Sequence, residues 1–93
     1  MRRRARVDAN HASIVKALRS CGWTVHDTSR LGDGFPDVLA CRGGRMELIE
    51  IKDGAKAPSA QKPTKAGREF ADAMLAAGVK VRYVTSVEQV ASL

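Results

Sequence analysis

Long apolar runs, paired cysteines and aromatic clusters are all missing from this sequence. No stretch approaches the apolar core of a secretory signal or the length of a membrane span, so a cytoplasmic protein with no membrane partner is expected. The two cysteines, Cys21 and Cys41, stand alone. Their isolation argues against a disulfide framework, and with His11 and His26 they form no short-spaced ligand pairs of the kind zinc requires. Two buried free thiols are the expectation. Only four residues are aromatic, which argues against a stacking platform as the main way of holding a nucleic acid.

Acidic residues are the other scarcity. Sixteen Lys and Arg outnumber ten Asp and Glu, giving a formal charge of +6 and a pI near 9.9, a balance that suits a polyanionic partner. The excess is concentrated at the start, where Arg2, Arg3, Arg4 and Arg6 fall within a segment, 1–7, expected to be a flexible basic tail. With 93 residues, of which 44% are hydrophobic and 28% charged, the composition is globular, and a single domain over 1–93 is expected. A domain this small has a limited core, so dimerisation is a reasonable expectation.

Apolar periodicity then divides the chain. From about Asp8 to Cys21, Ala12, Ile14, Val15, Leu18 and Cys21 recur at helical spacing, and Gly22 is placed to end the helix. Trp23 to Asp27 reads as a strand, and Thr28 to Pro36, rich in Gly, Ser, Asp and Pro, as a loop. Val38 to Cys41, the Gly43-Gly44 turn and Arg45 to Lys52 make a hairpin. Alternation puts Met46, Leu48, Glu50 and Lys52 on one face of its second strand and Glu47, Ile49 and Ile51 on the other. After a basic loop from Gly54 to Pro63, Thr64 can cap a helix with an apolar stripe of Phe70, Ala73, Met74 and Ala77, ended by Gly78. Val79 to Val84 reads as a fourth strand. Ser86 and Gln89 resemble a capping box for a last helix carrying Val87, Val90 and Leu93. The predicted order is αβββαβα.

The hairpin brings Asp37, just before its first strand, beside Glu50 and Lys52 near the end of the second. A spacing of two keeps the carboxylate and the ammonium on one face of the sheet. Asp37, Glu50 and the main-chain carbonyl of Ile51 are hard oxygen donors suited to Mg²⁺ or Mn²⁺. Such an ion can orient a phosphate, activate a water and offset developing negative charge, with Lys52 hydrogen-bonding the water or the phosphate. Glu-x-Lys on a strand face is also an ordinary ion pair, and the three residues by themselves fit both descriptions. Met46 and Leu48 share the face of Glu50 and Lys52, so the charges stand where burial is expected, and buried charges commonly mark function.

Three segments, Gly32-Asp33-Gly34-Phe35-Pro36-Asp37-Val38-Leu39, Leu48-Ile49-Glu50-Ile51-Lys52-Asp53-Gly54 and Pro58-Ser59-Ala60-Gln61-Lys62, resemble the VRR-NUC family of PD-(D/E)xK nucleases. Asp8, Asn10 and Ile14-Val15 in the first helix, and Asp27-Thr28-Ser29, resemble the short stand-alone members of that family found in phages and bacteria. The resemblance covers nearly the whole chain. It implies an α/β fold with a restriction-endonuclease-like αβββαβ core, a mixed central sheet flanked by helices. It also implies a metal-dependent endonuclease hydrolysing DNA phosphodiesters, with metal at Asp37, Glu50 and the Ile51 carbonyl and catalysis by Lys52. Gln61 stands where similar nucleases keep a polar residue near the metal-bound water or phosphate. Similarity to Holliday-junction resolvases implies a homodimer acting on branched DNA, in a bacterial or phage-infected cell.

One departure bears on the chemistry: Ser13 stands where related sequences often carry a glutamate that reaches the metal. Asp8, Asn10 and His11 are the nearby residues that can replace it if the helix start is suitably placed. Arg3, Arg4, Arg6, Lys56, Lys62 and Lys65 are the candidate phosphate contacts, since non-specific binding needs only positive charge in reach. Asp53 and Gly54 read as turn residues. Two other functions remain open, a catalytically weak DNA-binding protein on the same fold and a nuclease acting on nicked or linear duplex.

Overall fold

The computed structural model describes residues 8–93. The expected basic tail over 1–7, with Arg3, Arg4 and Arg6, lies outside the described residues. Helix α1 (His11–Ser20) is followed by strand β1 (Thr24–Asp27), the hairpin β2 (Val38–Arg42) and β3 (Arg45–Ile51), helix α2 (Lys65–Ala76) and strand β4 (Arg82–Val84). Short 3₁₀ turns occupy Ser29–Leu31, Pro58–Gln61 and Val87–Ser92. The sheet order is β1-β2-β3-β4. The first three strands are antiparallel neighbours, and β4 returns parallel to β3 after the α2 crossover. The expected mixed sheet with flanking helices is therefore the observed one. No helix among the described residues is long and apolar enough to cross a membrane.

The core lies between α1 and one face of this sheet. His11, Ile14, Val15 and Leu18, spaced along a single helical stripe, are buried, with Ile14 and Leu18 fully so. They meet Val25, Val38, Ala40, Ile49, Ile51 and Val84 from all four strands, while Trp23 and Val90 join the same cluster. The helix ends in a Schellman arrangement: Gly22, at φ +90°, donates to the Arg19 carbonyl and Trp23 donates to Leu18, both at 3.0 Å.

Several expectations are corrected here. Ala12 and Cys21 are exposed and His11 is buried in their place, because the helix begins at His11 and Cys21 sits past its last turn. The thiols are not buried: Cys21 is exposed and Cys41 half-buried on the far face of the sheet. Of the α2 stripe, Phe70 and Met74 are half-buried while Ala73 and Ala77 are exposed. The contacts of α2 are with the loop before β2, through Phe70 and its first turn, which leaves these two alanines further along the helix in solvent. Strand β4 is confined to Arg82–Val84, the residues that find partners at Ile49, Glu50 and Ile51. The last helix is a 3₁₀ segment in which Ser86 makes no cap; the Thr85 amide donates instead to Gln89 Oε1 at 2.7 Å. With Val90 buried and Val87 exposed, that segment has too little apolar surface to hold a full helix.

The second face of the sheet carries Leu39 and Leu48, both half-buried, and the N-terminal half of α2 meets the loop that leads into β2. Thr64 caps α2 by accepting from the Gly67 amide at 3.0 Å, and Phe35 and Phe70 meet edge to face with ring centres 5.1 Å apart. Gly34 sits at φ +82° with its α-carbon so close to the first turn of α2 that an added Cβ would fall 2.2 Å from the Ala66 carbonyl oxygen. Gly44, in the hairpin turn, has a similar φ of +80° and open space around it. Gly44→Ala is therefore expected to cost about 1 kcal/mol from backbone strain alone. Gly34→Ala should cost clearly more, because the clash is with backbone and α2 must move. Urea midpoints of the two variants check this, and equal losses would show that the contact is slack.

Candidate active site

Val38 stands opposite Ile49 in the β2–β3 register, so Asp37 and Glu50 form the next cross-strand pair beyond it. Alternation turns both away from the α1 core, onto the opposite face of the sheet. The segment before β2 is built to hold Asp37 there. Pro36 is fully buried and has no N–H to give to a ladder. Thr28 fixes the same segment twice, its hydroxyl donating to the Pro36 carbonyl at 2.7 Å and its amide to the Asp37 carbonyl at 2.9 Å. The Asp37 carboxylate then accepts the Ile51 amide proton at 2.8 Å, replacing a strand partner with a side chain.

Lys52 leans back along its strand to place Nζ 3.5 Å from Glu50 Oε2, with the two side chains 12% and 20% exposed. Both acids are strained toward their neutral forms. Burial raises Asp37 above the usual carboxylate range, against the pull of the Ile51 amide and the Lys52 charge. Glu50 is pushed up to about 7, first by burial and then by the negative charge of Asp37, with Lys52 opposing. Among the described residues these two half-buried carboxylates thus have one ammonium between them, in a site lined by oxygen.

That donor set fits a hard divalent cation. Among the described residues no group of three or more His, Cys, Asp or Glu side chains gathers to hold a metal, and the carboxylates paired at this site are Asp37 and Glu50. Mg²⁺ commonly binds through one or two carboxylates and keeps several waters, and carboxylate and carbonyl oxygens are the donors it prefers.

The start of α1 is tied to this end of the sheet. Asn10 occupies the N-cap position yet makes no cap; its Nδ2 donates to the carbonyls of Lys52 and Thr85, each at 3.1 Å. The Asp8 carboxylate accepts from the Asp53 amide, and its charge adds to the repulsion on Asp37. Ser13 is exposed to solvent. His11 is buried, with Nε2 3.0 Å from Asp27 Oδ2 and Nδ1 without a partner, and it lies near enough for its charge to act on Asp37. Asp27 is itself fixed by the Ser29 amide at 2.9 Å and hydroxyl at 2.6 Å.

The remaining candidates fall on the segment that follows β3. Gln61 donates from Nε2 to the carbonyls of Lys56 at 2.6 Å and Gly54 at 3.3 Å, so its amide nitrogen is engaged in holding that loop. Lys56, Lys62 and Lys65 are exposed along it. Asp53 Oδ1 accepts from the Ala55 amide at 3.0 Å, the turn role expected of it. His26 is exposed on β1. Thr28 and Asn10 carry more of the site than their residue types announced. An Asn ahead of a helix reads as a cap, and its actual partners lie 42 and 75 residues away.

The fold is that of a VRR_NUC domain. A solved structure described as "VRR_NUC domain" superposes with a TM-score of 0.68 over 92% of this chain and 95% of that chain, at 24% sequence identity. No family model and no curated protein matches the sequence. The likeness in fold agrees with the resemblance carried by the motifs around Asp37 and Glu50.

The raised Glu50 fixes a sign for stability. In the metal-free protein its folded value, about 7, lies above the ordinary 4.5 of a glutamate, so the folded state holds the proton more tightly between those limits. That stabilisation is present at low pH and lost as pH rises through 7. Glu50→Gln, neutral at every pH, should therefore raise the melting temperature of metal-free protein at pH 8 by about 5 °C and change it little at pH 5. Thermal scans at the two pH values check this; a variant less stable than the parent at pH 8 would show that the carboxylate is not strained.

Proposed function

We propose that this chain is a VRR-NUC-type endonuclease that hydrolyses DNA phosphodiesters with Mg²⁺ or Mn²⁺, acting as a homodimer on branched DNA such as Holliday junctions in the cytoplasm of a bacterial or phage-infected cell. The observation that carries this reading is the opposed pair Asp37 and Glu50, half-buried with Lys52 as the one ammonium paired with them among the described residues, on the fold of a solved VRR_NUC domain. Asp37, Glu50 and the Ile51 carbonyl would hold the ion. When bound, it supplies a Lewis acid for a phosphate oxygen and lowers the pKa of a coordinated water.

The chain's own groups do the rest. Lys52, steadied by Glu50, donates hydrogen bonds to the attacking water or to a non-bridging phosphate oxygen as charge builds there. The Ile51 amide fixes one oxygen of Asp37, and the other is the one that would hold the ion. Gln61 holds the loop that presents Lys56, and Lys56, Lys62 and Lys65, joined by Arg3, Arg4 and Arg6, contact phosphates along the DNA path. A dimer would set two such sites against a two-fold junction.

Asp37→Asn and Lys52→Ala should each lower the cleavage of a labelled four-way junction in Mg²⁺ or Mn²⁺ by about a hundredfold or more while leaving the circular dichroism spectrum native. Folded variants that cut at the parent rate would end this reading. Running junction, flap, nicked and linear substrates side by side establishes which DNA is preferred. The exposed position of Ser13 and the count of two site carboxylates favour one other reading, a DNA-binding protein without catalysis. Calorimetric titration with Mn²⁺ separates the two: binding that disappears in Asp37→Asn supports the enzyme, and no binding by the parent supports the other.

A further inference from the structure

Four aromatic residues serve this chain, and three of them belong to its packing. Trp23 is 3% exposed, and Phe35 and Phe70 are half-buried against each other. Tyr83 is 43% exposed. It sits on β4, directly beside Glu50 in the parallel register, while its neighbour Val84 pairs with Ile51 and is buried in the α1 core. Alternation therefore turns Tyr83 to the same face as Glu50 and Lys52. Partial burial, and then the negative charges of Glu50 and of Asp72 on α2, push its hydroxyl up, in keeping with its place beside Glu50. Among the described residues no hydrogen bond or aromatic contact engages it, and β4 is an edge strand, so the outer side of the ring has no strand beside it.

We propose that Tyr83 is a substrate-positioning residue whose ring stacks on an unpaired nucleotide next to the phosphate held at Asp37 and Glu50. This rests on the nuclease reading above and adds the feature of the substrate that it recognises. A base inside continuous duplex has both faces covered by its neighbours, so a protruding ring can stack only on one splayed out at a branch, a flap or a single-stranded end. A single ring beside the scissile position is enough for this role. The scarcity of aromatics excludes a platform and not a single contact.

The test compares the full-length parent with Tyr83→Phe, Tyr83→Leu and Tyr83→Ala on a flapped substrate and on the matching linear duplex, in Mg²⁺ or Mn²⁺. Tyr83→Ala and Tyr83→Leu should raise KM on the flapped DNA about tenfold, the size of one stacking contact, with little change in kcat and less than about twofold change on the duplex. Tyr83→Phe, which keeps the ring, should match the parent. Mn²⁺ affinity by calorimetry should be the same in all four proteins. The assignment fails if Tyr83→Ala cuts both substrates with parental KM, if both lose equally, or if sedimentation shows that the substitution instead shifts monomer–dimer exchange. A parent that binds no Mn²⁺ and cleaves neither DNA would overturn the nuclease reading and this assignment with it, whereas an active parent with an indifferent Tyr83→Ala overturns only the latter.

Discussion

Val38 faces Ile49 across the β2–β3 ladder, and this pairing sets both the core and the candidate site. A slip of one residue would turn Ile49 and Ile51 out of the α1 core and drive Glu50 and Lys52 into it. Burying those two charges against Ile14 and Leu18 would be strongly unfavourable, since neither could find further hydrogen bonds there. The hydrophobic pairing on one face thus fixes where the carboxylates stand on the other. The site inherits its precision from the core and needs little rigidity of its own.

What the site does not inherit is electrostatic comfort. Asp37 and Glu50 are held side by side by the backbone, and the groups that ease them, the Ile51 amide and Lys52, do so only partly. Such tension persists where the surrounding structure over-determines the geometry. Here the anchors are Thr28 on the Pro36–Asp37 segment and Asn10, which gathers the ends of β3 and β4 under the start of α1. A chain of this size that devotes a partly buried threonine bond and an uncapped helix start to one corner is organised around that corner.

Much of this was readable in the sequence because it is local. The Gly43-Gly44 turn and the alternation after it define the hairpin, and the hairpin defines which residues converge. Which face becomes the main core was not readable, since Met46 and Leu48 are as apolar as Ile49 and Ile51. In the structure Met46 is 67% exposed and the two isoleucines are buried. The choice is made by α1, whose stripe of Ile14, Val15 and Leu18 takes in His11, paired with Asp27, and leaves Ala12 and Cys21 outside. The neighbour of Glu50 on β4 was equally hidden, because a parallel register set across a helical crossover leaves no mark in the intervening residues. The short final turn failed as a helix for a related reason: its Ser and Gln match a cap locally, but only Val90 is buried below it.

The close approach of Gly34 to Ala66 has a mechanical meaning as well as a steric one. The loop leading to Asp37 and the first turn of α2 touch backbone to backbone, with no side chain between them to absorb movement. A push on that turn, which begins at Lys65, is therefore shared by the chain three residues ahead of Asp37. The surface proposed to meet DNA and the carboxylate proposed to hold a cation would be, in effect, two ends of one lever.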